Sequence, residues 1–248
     1  MDRMKSTSAP VLGRLSPREQ LTAGRLPRRL VQLVVGLVVY GFTMALMVRA
    51  KLGNDPWDVF HQGLSVRIGL SFGTVVILVG VLVLLLWIPL REMPGLGTVL
   101  NTILIGAAAD VALHLISTPH AMSGRITFAA AGIVGNGVAT AMYIGAQLGP
   151  GPRDGLMTSL HRRTGWPIGV VRTGLEITVV VVGLLLGGVF GVATLAYALL
   201  IGPLVQLMLP RFIVDLAPAA LRQPRVRRDP DPYGSWLWSG RQFSEGWH

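Results

Sequence analysis

Apolar residues along the chain form six long runs that short polar segments separate. They cover residues 30–50, 71–90, 95–117, 126–147, 167–187 and 190–210. A helix needs about 20 apolar residues to cross the hydrocarbon core of a bilayer. Lipid offers no hydrogen bonds to backbone groups, so a helix is the structure that such a run adopts. The pattern therefore predicts an all-α polytopic membrane protein with about six transmembrane helices.

Composition agrees with this prediction and excludes several classes of protein. Hydrophobic residues make up 51% of the 248 residues and charged residues 14%, against about 25% charged in soluble domains. The absence of cysteine excludes a disulfide scaffold, a thiolate metal site and a cysteine nucleophile. No HExxH, Walker A, GxGxxG or GxSxG motif is present. We therefore expect that the protein is not an enzyme and has no catalytic residues. We also expect no bound metal or cofactor.

An internal repeat is the most informative feature of the sequence. Leu52-Gly53 recurs as Leu148-Gly149, an offset of 96 residues. The same offset pairs Gly36 with Gly132, Pro56 with Pro152, Asp58 with Asp154, Gly73 with Gly169, and Thr98 with Thr194. Identities at Gly, Pro and Asp are not shared by arbitrary apolar helices, so they indicate duplication. Each copy carries three spans, and an odd number predicts that the second copy is inverted in the membrane.

The repeat and the charges together predict the organisation of the chain. A disordered basic arm covers residues 1–29, the two repeats cover 30–117 and 118–212, and an irregular tail covers 213–248. The net charge of +10 lies mainly in the arm and the tail, which flank the spans. Basic segments beside spans stay in the cytoplasm, so we expect both termini there and no binding of nucleic acid.

A short helix is predicted after the first span of each repeat. Pro56 and Pro152 suit the first position of a helix, Asp55 suits an N-cap, and Asp58 and Asp154 suit the first turn. About 13 residues are too few to cross the bilayer. Two alternatives remain open. The helices could lie on the membrane surface as connectors, or they could dip between the spans so that their N-termini approach each other and form a polar site.

The second alternative predicts a site for a small polar solute. Its candidate substrate-binding residues are Asn54, Asp55, Trp57, Asp58, Arg153 and Asp154. Free N–H groups and an arginine attract a carboxylate or phosphate, whereas aspartates attract a cation or carry a proton. This mixture favours an anionic or zwitterionic solute.

Charged residues inside the spans are further candidates, because a charge in lipid is costly unless it is paired. Asp110 and His114 are spaced i, i+4 in the third span, and Arg172 and Glu176 have the same spacing in the fifth. Both couples are candidates for proton or ion coupling. The alternative is that each couple only neutralises itself. His61 could face the site asymmetrically, since its counterpart in the second repeat is Met157.

Several motifs resemble those of a known family. The Leu-Gly-Asn-Asp-Pro-Trp-Asp segment at 52–58, the Gly-Leu-Ser at 63–65 and the Pro-Gly-Leu-Gly-Thr run that continues from Pro94 to Gly106 are similar to the YczE/YyaS/YitT family of bacterial integral membrane proteins. The resemblance covers about residues 30–212. It implies a multi-pass protein of the bacterial inner membrane, and it brings no substrate and no catalytic residues.

The sequence therefore favours a transporter of a small polar solute, coupled to a proton or an ion. A passive channel of the same symmetry and a scaffold or regulatory protein without transport remain the alternatives. The expected partners are the lipid bilayer and the solute, and the sequence allows a homo-oligomer.

Overall fold

The structure, a computed structural model, describes residues 15–216, and within them it contains nine α-helices and no strand. In chain order these are α1 (Pro17–Thr22), α2 (Leu26–Ala50), α3 (Pro56–Ile68), α4 (Phe72–Leu90), α5 (Leu96–Leu115), α6 (Met122–Gly145), α7 (Pro152–Thr164), α8 (Ile168–Leu186) and α9 (Val192–Phe212). Residues 1–14 of the predicted arm and 217–248 of the predicted tail lie outside the described residues.

Six of these helices are long and apolar enough to cross a membrane, namely α2, α4, α5, α6, α8 and α9. The short helices α3 and α7 have 13 residues each, which corresponds to roughly 20 Å and is less than the thickness of a bilayer core. The predicted all-helical fold with six candidate spans is therefore confirmed.

The helix boundaries repeat with the same offset as the sequence. Pro56–Ile68 corresponds to Pro152–Thr164, and Phe72–Leu90 corresponds to Ile168–Leu186, each 96 residues later. Each pair also has helices of equal length. The duplication that the sequence indicates is thus expressed in the local structure of both halves.

Matching hydrogen bonds tie the two halves together. The Gly97 N–H donates to the Leu148 carbonyl at 2.7 Å, and the Ala193 N–H donates to the Leu52 carbonyl at 3.0 Å. The two bonds join equivalent atoms with the halves exchanged. The turn before each short helix is therefore held by the start of the last helix in the other half.

The centre of the molecule is the contact between the equivalent helices α2 and α6. Gly36 of α2 lies against Met142, while Gly132 of α6 lies against Thr43 and Met47. An early residue of each helix therefore contacts a late residue of the other, so the two helices are antiparallel. Small residues at the crossing allow the backbones to approach closely, as is usual between membrane helices.

Each short helix packs closely against a span of the other half. The α3 backbone at Val59 and Phe60 lies against Gly183 of α8, whereas Gly155 of α7, the equivalent of Val59, lies against the ring of Trp87 in α4. The Trp87 Nε1–H also donates to the Pro152 carbonyl at 3.1 Å. A glycine thus permits the close approach in both contacts, on the span in the first and on the short helix in the second.

The expectation of a disordered arm as far as residue 29 is wrong for the part that the structure describes. Helix α1 begins with a capping box, in which the Ser16 N–H donates to Glu19 and the Glu19 N–H donates to the Ser16 hydroxyl. The hydrogen bond from the Ser16 backbone lowers the pKa of the Glu19 carboxyl. Local capping therefore gives this segment a helix that its lack of apolar periodicity does not predict.

Arg29 anchors the start of the membrane domain. Its side chain is fully buried and donates to the carbonyls of Gln20, Ala146 and Gln147 at 2.5, 2.8 and 2.6 Å. Two of these acceptors follow the end of α6, where helix carbonyls lack partners. At the other terminus, residues 213–216 are not helical, and the Val214 N–H donates to the Gly145 carbonyl at 3.0 Å.

Candidate functional site

The N-termini of α3 and α7 face each other inside the bundle. The Asp55 carboxylate caps α3 by accepting from the Asp58 N–H at 2.7 Å, and Pro56 follows the cap as expected. The two short helices lie against opposite ends of α4. In α3, His61 contacts Phe72 at the start of α4, whereas α7 contacts Trp87 near its end. This arrangement differs from exposed connectors, because the polar helix starts are buried.

Arg153 joins the two helix starts. Its guanidinium lies 3.4 Å from the Asp55 carboxylate and 3.6 Å from the Asp58 carboxylate, and both acids are almost fully buried. The same guanidinium lies over the ring of Trp57, 5.1 Å from the ring centroid. Trp57 and Arg153 occupy the same position of the repeat. The substitution of one for the other thus creates a cation–π contact between the two halves.

Two further polar pairs surround this centre. The Nδ1 atom of buried His61 lies 2.9 Å from the Asp58 carboxylate. The Tyr143 hydroxyl of α6 donates to the Asp154 carboxylate at 2.8 Å. The equivalent aspartates of the two repeats therefore have different partners, and the site is chemically asymmetric although its backbone is repeated.

A cavity of about 370 Å³ opens beside these groups. Polar residues from both halves line it, including Tyr40, Asp55, Arg153, Asp154, Arg172 and Glu176. The three acids and two bases nearly balance in charge, and apolar side chains of α4 and α9 line other parts of the wall. A largely apolar cavity with a few converging polar groups is the usual form of a small-molecule site.

The structure brings most of the predicted binding residues together. Asp55, Trp57, Arg153 and Asp154 line the cavity. Asp58 lies behind them and contacts the site through Arg153 and His61. Asn54 is buried but does not line the cavity, because its side chain turns away and donates to Gln62 at 2.7 Å. His61 does line the cavity, and so does its counterpart Met157.

The two charged couples in the spans have different surroundings. Arg172 and Glu176 pair at 2.8 Å and line the cavity, with side chains 50% and 30% exposed. Asp110 and His114 do not meet through their side chains. The Asp110 carboxylate accepts from the Gly73 N–H at 2.6 Å and from the Ser71 hydroxyl, whereas exposed His114 contacts the Asp110 carbonyl. This second couple therefore lies apart from the central cavity.

Three tyrosines from different spans, whose hydroxyls can form hydrogen bonds between helices, also line the cavity, namely Tyr40, Tyr143 and Tyr197. Tyr197 does form such a bond, since its hydroxyl donates to Asn136 at 3.1 Å. The repeat contains a signal for two of them. Tyr40 corresponds to Asn136 and Tyr197 corresponds to Asn101, so both copies keep a polar side chain at these positions. Polarity retained in both copies of an apolar span marks a position that faces something other than lipid.

Metal-binding side chains do not cluster anywhere in residues 15–216, since no group of three His, Cys, Asp or Glu residues is placed to hold an ion. Within the described part of the chain, charged groups of the cavity pair with one another, as Asp55 does with Arg153 and Glu176 with Arg172. The class of protein that fold and site define is a polytopic membrane protein with a central cavity into which several charged side chains converge.

The chain belongs to the family of unknown function DUF6198, which it matches over residues 27–210. It is similar to an uncharacterized protein of Haemophilus influenzae, with 39% identity over 71% of this chain and 81% of the relative. It is also similar to two Bacillus subtilis proteins. The uncharacterized membrane protein YczE shares 34% identity over 79% of this chain and 93% of its own length, and the uncharacterized protein YyaS shares 24% over 71% and 90%.

These relatives confirm the family resemblance that the motifs at 52–58 and 94–106 indicate. No solved structure matches the chain. The protein is thus a membrane protein of an uncharacterised family.

Proposed function

We propose that this protein transports a small zwitterionic solute across the bacterial inner membrane, with both termini in the cytoplasm, and that it does so without catalysing a reaction. The observation that carries the proposal is the buried Asp55–Arg153 contact between two opposed helix starts. Broken helices whose N-termini meet between repeats are the usual binding elements of secondary transporters.

The charges of the cavity favour a zwitterion over an anion. Asp55, Asp154 and Glu176 carry the negative charge, and Arg153 and Arg172 carry the positive charge. A solute with one ammonium and one carboxylate adds no net charge to this nearly balanced set. An anion alone would bring a further negative charge beside three acids, which is costly in a low-dielectric site.

Three probes of different charge test the substrate class. Alanine, succinate and putrescine represent a zwitterion, a dianion and a dication. We expect alanine, and neither of the others, to raise the unfolding temperature of the purified protein and to enter proteoliposomes that contain it. The Asp55→Asn variant should lose both effects, since it removes the carboxylate nearest to Arg153. The Glu19→Gln variant is the control, because Glu19 lies in α1 outside the cavity.

The alternatives give different results in the same assay. A passive channel would equilibrate a solute without ever concentrating it against its gradient. A scaffold would show no flux of any probe, and Asp55→Asn would leave the phenotype of the intact cell unchanged. Preference for succinate or putrescine would contradict the zwitterion while leaving transport in place.

A further inference from the structure

The two halves differ most in the contact between their last two spans. In the first half, α4 and α5 pack tightly. A Cβ added to Gly73 would lie 2.0 Å from the Gly106 carbonyl oxygen, and one added to Gly80 would lie 2.8 Å from the Thr102 side chain. Only glycine permits this approach, so the start of α4 and the second half of α5 form a closed seam.

The equivalent seam in the second half is open. Gly169 of α8 and Gly202 of α9 correspond to Gly73 and Gly106, and a Cβ added at either would meet no atom within 4 Å. The loop between Leu186 and Val192 keeps the other ends of the two helices near each other. The helices therefore separate where α8 begins.

The central cavity extends into this open seam. Arg172, Leu175 and Glu176 of α8 line it together with Gly202 and Gln206 of α9. The equivalent helices α2 and α6 are antiparallel, so the two halves run in opposite directions. The closed seam and the open seam therefore lie at opposite ends of the molecule. The part of the cavity beside Arg153 is thus accessible through the α8–α9 seam and blocked at the α4–α5 seam.

Hydrogen bonds of Asp110, which we call the Asp110 latch, hold the closed seam together. Asp110 of α5 binds the Gly73 N–H and the Ser71 hydroxyl at the start of α4, where free N–H groups favour an acid. The counterparts of Asp110 and Ser71 are Gln206 and Pro167, so the second half has neither the carboxylate nor the hydroxyl of this latch. Arg172 and Glu176 already neutralise each other, so closure of the second seam would bury no single charge.

We infer that the α4–α5 and α8–α9 seams are the two gates of one transport cycle and that they open in alternation. In the second state, Gly169 meets Gly202 as Gly73 now meets Gly106, while α4 and α5 separate after the Asp110 latch breaks. This inference rests on the proposed transport function, but the movement itself can be measured without a known solute.

Disulfide trapping in the naturally cysteine-free chain tests the movement. The full-length Gly169→Cys/Gly202→Cys variant is oxidised with copper phenanthroline in membrane vesicles. Both positions have free space, so the cysteines fit in the observed state. A disulfide requires Cα atoms about 4.4–6.8 Å apart, and we expect closure of the α8–α9 seam to bring the two positions to this separation. We expect a cross-link, and we expect none in the matched Gly174→Cys/Gly202→Cys control, because Gly174 corresponds to Leu78 on an exposed face of α4.

The latch supplies the second measurement. Asp110→Asn replaces charged hydrogen bonds by neutral ones, and we expect the ratio of cross-linked to free protein in the Gly169/Gly202 pair to rise by about tenfold. Cross-linking that never exceeds the control pair, with or without Asp110→Asn, would overturn the inference. If Asp110→Asn fails to insert into the membrane, the pair in the otherwise native chain still decides the question.

Failure of the gates and failure of transport are distinguishable. Cross-linking without flux of any probe would keep the movement and remove the transport function. Flux of alanine without cross-linking would keep transport and remove these gates. The gates and the transport function are both supported if the disulfide stops alanine flux and a reductant restores it.

Discussion

At the scale of single residues, the buried charges of the site depend on Arg153. It lies beside two acids that are 3% and 1% exposed, and it covers the ring of Trp57. Without it, the Asp55 and Asp58 carboxylates would be buried near each other with no cation between them. Removing one partner of a buried group of charges destabilises a protein by more than the intact group stabilises it.

We therefore expect Arg153→Gln to destabilise the protein by roughly 3–5 kcal/mol, measured as a lower unfolding temperature in detergent. Arg172→Gln is the matched control, since Arg172 is half exposed and forms an ion pair with Glu176 alone among residues 15–216. An exposed pair contributes about 0–1 kcal/mol, so the control should unfold near the native temperature. Equal effects of the two substitutions would contradict the central role of Arg153.

At the scale of helices, the complementary contacts of α3 and α7 determine which span each short helix can pack against. The α3 backbone at Val59 packs on Gly183 and Gly155 packs on the Trp87 ring, although all four positions belong to equivalent pairs. The glycine lies on the span in one contact and on the short helix in the other. The two short helices are therefore not interchangeable, even though their lengths and caps are alike.

An exchange of volumes within the second contact tests this complementarity. Gly155→Val alone should destabilise the protein by about 1–3 kcal/mol, because a Cβ there would lie 2.0 Å from the Trp87 ring. Addition of Trp87→Gly gives this contact the residue types of the Val59–Gly183 contact. We expect the double variant to be more stable than the sum of the two single effects, with a coupling of about 0.5–3 kcal/mol in unfolding experiments. Strict additivity would show that the contact does not matter.

Equivalent glycines in the two seams allow a second test at this scale. Gly73→Ala should lower stability by about 1–3 kcal/mol, since its Cβ would collide with the α5 backbone. Gly169→Ala should leave the unfolding temperature within a few degrees of the native value, because its Cβ meets open space. If the gates alternate, Gly169→Ala should nevertheless reduce alanine flux, as it obstructs the closed state. Normal flux in this variant would argue against closure at Gly169.

At the scale of the whole molecule, the repeated halves predict opposite orientations in the membrane. Leu70 and Trp166 are equivalent, exposed residues in the loops that follow the short helices. We expect an impermeant maleimide to label Leu70→Cys only from the periplasmic side and Trp166→Cys only from the cytoplasmic side. Labelling of both from one side would mean parallel repeats, and the gating scheme would then fail. The cysteine-free native chain serves as the blank.

The sequence by itself determined the spans, the repeat and the short helices. These depend on local properties, such as apolar length, an offset of 96 residues, and the Pro and Asp residues that start a helix. Asp55 is the N-cap that its neighbours predict. The motif at 52–58 also indicated the family. Patterns of this kind are visible in sequence because each involves residues close together in the chain or the same residue type at a fixed distance.

Tertiary structure alone decided which of these residues meet. Arg153 contacts Asp55 across 98 positions, and Asp110 binds the start of α4 in place of His114. Arg29 is buried although it stands in a basic segment. Both seams contain the equivalent glycines Gly73/Gly169 and Gly106/Gly202, and the residue types that differ, such as Asp110 and Gln206, do not show by themselves which seam is closed. Their difference arises from how the helices pack, and packing is determined by shape and charge across distant parts of the chain.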